Sequence, residues 1–126
     1  MRRFFRFYPL TILVVLVVMT LCLMPIEDPP LKDVPFIDKW THMALFGGIA
    51  SIVTLELAIN RRLDLRWLAP CAAALYGGAI ELMQAYLTTC RSGEWLDFAA
   101  DALGAFVVFP IALYCVRFND FVSRRG

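Results

Sequence analysis

The fold this sequence predicts is all-α: a bundle of four transmembrane helices forming one membrane domain over residues 1–126, with both termini in the cytoplasm. Three observations predict it. Sixty per cent of the residues are hydrophobic and the mean hydropathy is +0.68, more apolar surface than a small soluble domain can hide. Four apolar stretches, at about 4–24, 38–59, 67–87 and 95–116, each come close to the ~20 residues that cross a ~30 Å hydrocarbon core. Finally, Lys and Arg are unevenly distributed among the segments between them.

The first stretch, from about Phe4 to Met24, follows basic residues as a signal peptide does. It is long for one, and no small-residue cleavage site follows Met24, so a retained helix is expected. Pro25, Pro29, Pro30 and Pro35 forbid helix before the second stretch. The third opens near Pro70, in a first turn where proline is tolerated. Ser92 and Gly93 break the chain before the fourth, and Ser92 can cap it. Pro110 lies inside the fourth and predicts a kink. Trp40, Trp67 and Trp95 all fall at segment ends, the pattern of an interfacial aromatic belt.

Nine of the twelve Lys and Arg residues lie in the tails and the second loop: Arg2, Arg3, Arg6, Arg61, Arg62, Arg66, Arg117, Arg124 and Arg125. Lys32, Lys39 and Arg91 occupy the other two loops. The positive-inside rule then places tails and second loop in the cytoplasm. Small residues four apart, Ala44 with Gly48, Ala73 with Gly77 (or Ala74 with Gly78), and Ala100 with Gly104, let helix backbones approach closely in lipid. The first helix lacks such pairs and is expected at the periphery.

Polar residues gather at one level. Asp38 and His42 share a face at the start of the second helix, Glu81 and Gln84 near the end of the third, Asp97 and Asp101 at the start of the fourth. Arg91 lies in the loop between the last two. At 1.5 Å rise per residue, Glu81 lies ~9 Å in from Leu87, Asp101 ~9 Å in from Trp95, and His42 ~6 Å in from Asp38. Asp38, Lys39, Glu94 and Asp97 suit ordinary helix ends, and Gln84 and Thr41 suit plain interhelical hydrogen bonds. Glu81, His42 and Asp101 are harder to explain that way, because a buried carboxylate in a bilayer costs several kcal/mol unless paired or protonated. These three are the candidate catalytic groups.

Such a cluster could bind a zwitterionic or sugar-bearing group, perform acid–base chemistry or relay protons. The chain holds one His, and Lys39 and Arg91 offer counter-charges, so no metal and no cofactor is expected. Nothing places Ser92, Cys90 or Thr41 beside His42 as a nucleophile. A net charge of +1, without a basic patch or a Gly-rich loop, excludes nucleic acid as a partner. The four cysteines are too scattered for a metal cluster.

Three stretches carry a resemblance: DKWTHMALFGGIA, then GGAIELMQAY, then RSGEWLDFAADALGA. In order and spacing they resemble the VanZ-like family of small bacterial membrane proteins, with D-K-x-x-H opening one helix, G-x-x-x-E-x-x-Q closing the next, and R-x-x-[DE]-x-x-D following. The likeness covers roughly residues 36–108. Asp101 departs from it, because the family commonly carries Asn there. The resemblance implies a multi-pass protein of the bacterial inner membrane, in a family linked to teicoplanin-type glycopeptide resistance. It also implies Asp38, Lys39, His42, Glu81, Gln84, Arg91 and Asp97 as signature, substrate-binding positions.

The leading expectation is a protein that binds or modifies an envelope component at the outer leaflet, with a membrane lipid or lipid-linked envelope precursor as partner. The alternatives are a non-catalytic scaffold or interaction subunit, and a proton-coupled transporter. Four helices are few for a transporter unless it forms a homodimer.

Overall fold

The computed structural model describes residues 6–24, 33–89 and 94–126. All regular structure among them is helical: α1 (Pro9–Leu23), α2 (Ile37–Ile59), α3 (Leu68–Leu87) and α4 (Trp95–Arg125), with a 3₁₀ turn at Leu63–Leu65 joining α2 to α3. Of these, α2 and α4 are long and apolar enough to cross a membrane. The 20 residues of α3 are long enough, but Glu81, Gln84, two glycines and two tyrosines dilute their hydropathy. The 15 residues of α1 are short.

Two helix ends differ from the sequence expectation. Tyr8 breaks the first stretch (φ −131°, ψ 48°), and α1 starts at Pro9, where a missing N–H costs nothing. The fourth helix runs well past Val116 to Arg125, straight through Pro110. Asn119 and Asp120 end the apolar run there without ending the helix. At the end of α2, Arg61 takes the left-handed conformation (φ 56°). Arg62 N donates to Leu57 O at 2.7 Å, and Arg61 N to Ala58 O at 3.0 Å. These two bonds make a Schellman cap with Arg at the position glycine usually fills.

The largest interface is between α2 and α4; α3 packs on both, and α1 lies at the edge against α2 and α3, as expected for the helix without small-residue pairs. Phe46, Ile49, Ala50, Val53 and Leu57 of α2 meet Ala73 and Ile80 of α3 and Ala105 and Phe109 of α4 in the core. The close approach of α2 and α4 depends on glycine. A Cβ on Gly104 would lie 2.7 Å from the Met43 Cα, and one on Gly47 2.8 Å from Val108 Cγ2. The contact residues on α2 are therefore Met43 and Gly47, not the expected Ala44 and Gly48: Ala44 is exposed and a Cβ on Gly48 would meet nothing within 4 Å. On α3 the pair is Ala73 and Gly77, both buried.

Most of the described Ser and Thr hydroxyls of the helices spend themselves locally; among those not at the surface, Thr11 Oγ1 of α1, buried without a partner, is the exception. Thr20, Thr41, Ser51, Thr54 and Thr88 each donate to the carbonyl four residues earlier at 2.7–2.9 Å, so none needs water.

Candidate functional site

One end of α2, one end of α3 and the start of α4 meet at a common level, and the polar residues of all three converge there. His42 lies one helical turn in from Asp38 on α2. Its Nδ1 is 2.7 Å from Asp101 Oδ1 on α4 and 3.7 Å from Glu81 Oε1 on α3. All three residues are buried, Asp101 completely. Asp101 fits because α3 presents Gly77 to it: a Cβ there would come within 2.6 Å of Asp101 Oδ2. Glycine thus makes a small-residue contact and a hollow for a carboxylate at the same point.

Glu81 has a second task. Its Oε2 accepts the backbone N–H of Glu94 at 2.9 Å, just ahead of α4, and so satisfies a donor at that helix's N-terminus. Toward the rim, Lys39 Nζ sits 2.9 Å from Glu94 Oε2 and 2.8 Å from Asp97 Oδ1. Asp38 is exposed, and one of its oxygens lies within 4.8 Å of ligand atoms on His42 and Asp97. The structure thus brings Asp38, Lys39, His42, Glu81, Asp97 and Asp101 into one constellation. Arg91 lies outside the described residues. Gln84 is buried, and its Nε2 donates to the Cys22 carbonyl of α1 at 2.7 Å, tying α3 to the peripheral helix.

Among the described residues three carboxylate oxygens of this core accept no well-formed hydrogen bond, Glu81 Oε1, Asp101 Oδ2 and Asp97 Oδ1; only Asp97 Oδ1 has a cation against it, Lys39 Nζ at 2.8 Å. Glu81 and Asp101 are each half satisfied: Glu81 by Glu94 N, Asp101 by His42. Beside Glu81 a groove of about 660 Å³ runs between α3 and α4. Leu75, Leu82, Ala85 and Phe98 give it an apolar wall, and Glu81, Glu94 and Trp95 also line it.

Sequence reasoning missed a second polar centre at the other end of α2. Glu56, buried in an otherwise apolar stretch, accepts Leu10 N at 2.7 Å and Thr11 N at 3.0 Å. Asn60, one turn on, donates to Phe7 O at 2.6 Å. Together they clamp the start of α1. Tyr76 Oη donates to Val15 O at 2.6 Å further along the same helix. A single Glu in the run VTLELAI was the one available signal; its partners are backbone groups about 45 positions away. Glu94 was read only as a helix-end charge, and its backbone link to Glu81 has no trace in the sequence.

Comparisons with protein-family models, with curated proteins and with solved structures find no match.

Proposed function

We propose that this chain is a multi-pass membrane protein, VanZ-like in its motifs, that binds or modifies the polar head of a membrane lipid or lipid-linked envelope precursor in the bacterial inner membrane. The observation that carries this reading is the groove between α3 and α4, apolar along its length with carboxylates on its wall. A lipid has the same two parts, a chain for Leu75, Leu82 and Phe98 and a headgroup for the carboxylates of Glu81 and Glu94.

The inversion of polarity supports the membrane part of the reading. Leu75, Leu82, Leu103, Ile111 and Tyr114 are exposed, while Asp101, His42, Gln84 and Glu81 are buried. Only 28% of the apolar window of α4 is buried, far less than a soluble core helix would show. In water so much apolar surface is an aggregation liability; against lipid chains it costs nothing, and the buried polar groups mark function or helix association. Trp40, Trp67 and Trp95 are exposed at helix ends. In this reading all four helices span, and α4, about 46 Å long, extends beyond the bilayer into the cytoplasm.

Trp95 supplies a direct test. With Trp40 and Trp67 replaced by Phe, the remaining tryptophan lines the groove. Lipids brominated on the acyl chain should quench it in detergent, and Leu82→Phe, which adds bulk without a second tryptophan, should reduce both binding in the groove and the quenching. Quenching no greater than that of free tryptophan analogue would end the lipid reading.

A second reading, a non-catalytic scaffold, is favoured by one set of observations. Gln84, Tyr76 and Glu56 all spend their polar groups on the backbone of α1, which is how polar residues fasten helices in lipid. That explanation covers those three residues. It leaves the two half-satisfied carboxylates without a role.

A further inference from the structure

Burying an anionic oxygen with no donor is costly. Here two such oxygens, Glu81 Oε1 and Asp101 Oδ2, lie in residues no more than 7% exposed. Among the described residues no cation hydrogen-bonds them, although His42 Nδ1 stands 3.7 Å from Glu81 Oε1. Lys39 is spent on Glu94 and Asp97, and His42 gives its Nδ1 to Asp101 Oδ1. Across the described constellation five carboxylates, Asp38, Glu81, Glu94, Asp97 and Asp101, face one lysine and one histidine. Among the described residues the counter-charge is short, and the unmet oxygens lie in the interior.

We propose that His42, Glu81 and Asp101 hold a divalent first-row transition-metal ion. An imidazole nitrogen and one oxygen from each carboxylate lie within 4.8 Å of one another. A cation with bonds of about 2.1 Å to each ligand draws such a set together with small side-chain rotations. One imidazole and two carboxylates is a mixed set that favours manganese or zinc over magnesium or calcium, which prefer oxygen alone. The three ligands come from three helices, so the ion fastens α2, α3 and α4 at one point, and fewer than four protein ligands leaves positions open for an exogenous group. Glu94 N on Glu81 Oε2 is the second-shell bond that orients one ligand. Nδ1 takes the ion as the neutral imidazole with its proton on Nε2; an imidazolium first releases one proton to solvent. The expectation of no metal counted ligand types; the geometry counts unmet oxygens.

This site stands independently of the lipid reading, because it is tested without lipid. The chain contains a single histidine, which makes the experiment unusually clean if the protein carries no histidine tag. Chelator-stripped protein in detergent is titrated with Mn²⁺, and the free-ion EPR signal is followed. One Mn²⁺ per chain should be taken up, and pulsed EPR of the bound ion should show ¹⁴N coupling from an imidazole. His42→Ala should abolish that coupling. Glu81→Gln and Asp101→Asn should each weaken uptake at least tenfold, and Glu56→Gln should leave it unchanged. Absence of uptake at millimolar Mn²⁺, or uptake with no nitrogen coupling, overturns the proposal. Where a variant fails to fold, the coupling in the unaltered chain still decides.

Discussion

The two ends of α2 each bury a glutamate against the start of a neighbouring helix, and they use it differently. Glu56 spends both oxygens on backbone N–H groups of α1, Leu10 and Thr11. Glu81, reaching α2's opposite end from α3, spends one oxygen on Glu94 N and leaves the other facing His42. By sequence both are lone acids in apolar segments. The difference is in completion. A carboxylate with its acceptor capacity filled by backbone is a cap, worth something to the fold and nothing to a ligand. A half-filled carboxylate beside a half-filled partner is where a ligand has something to gain. Burial of charge therefore marks both ends, and only unmet valence separates structure from site.

The comparison breaks most severely at the glycine that sets the distance between His42 and Asp101. Gly104→Ala drives a Cβ into the Met43 backbone. Neither side is a flexible side-chain tip, so α2 and α4 must separate. The cost should be about 3 kcal/mol, the upper part of the usual range for overpacking, read as a lower midpoint in thermal unfolding in detergent. Metal uptake should fall with it, since Asp101 rides on α4 and His42 on α2. An unchanged midpoint would show that the helices have slack here, and the tight geometry of the site would lose its explanation.

Next in size is the contrast between the two glutamates. Glu56→Gln replaces an acceptor of two N–H bonds by an amide with one oxygen, turning NH₂ against a backbone donor. A loss of about 2 kcal/mol is expected, with α1 released: its amides should exchange faster with deuterium. Glu81→Gln keeps an oxygen that can accept the Glu94 N–H and removes an anion whose burial is itself costly. It should leave the midpoint within about 1 kcal/mol of the parent while removing metal uptake. If Glu56→Gln were the silent change and Glu81→Gln the unfolding one, cap and site would have to exchange places.

How much of this could be read in the sequence follows from the range of the forces. The α2 and α3 segments and the convergence of Asp38, His42, Glu81, Asp97 and Asp101 depend on hydropathy and helical spacing, both local, and the structure differs there by one residue at the helix ends. The break at Tyr8 within the first stretch was missed because Pro9 acts within one turn, below the width over which hydropathy is averaged. The end of α4 was missed because helix continues after hydrophobicity stops. Glu56 was missed because its partners are backbone groups remote in sequence, and backbone carries no sequence signal. Gly47 and Gly48 are adjacent, and small-residue spacing from Ala44 favoured Gly48, the glycine that faces open space. Rotation of α2 about its axis decides it, and only packing sets that.

The same rotation gives a third, opposite-signed test. Gly48→Ala adds a Cβ into open space, and a helical Ala is favoured over Gly by about 1 kcal/mol. The midpoint should rise slightly. Gly47→Ala, which meets Val108 at 2.8 Å, should not stabilise. A fall for Gly48→Ala with none for Gly47→Ala would put the seam between α2 and α4 on the other glycine.

The smallest effect bears on the residue whose role the comparison divides. Gln84 lies three positions from Glu81, and its spacing assigned it to the site. Its Nε2 bonds the Cys22 carbonyl on α1, which groups it with Glu56 and Tyr76 as a fastener. Interhelical hydrogen bonds of this kind contribute about 0.6 kcal/mol in lipid, because the separated helices find other partners. Gln84→Leu preserves most of the buried volume and removes only the bond. A fastener loses about that much stability, frees α1 for faster exchange near Cys22, and leaves Mn²⁺ affinity and Trp95 quenching as they were. A site residue does the reverse: stability hardly moves and binding falls. Measuring both on one variant assigns Gln84 to one end of the comparison, and a fall in Mn²⁺ affinity with α1 still protected would extend the site one turn toward the end of α3.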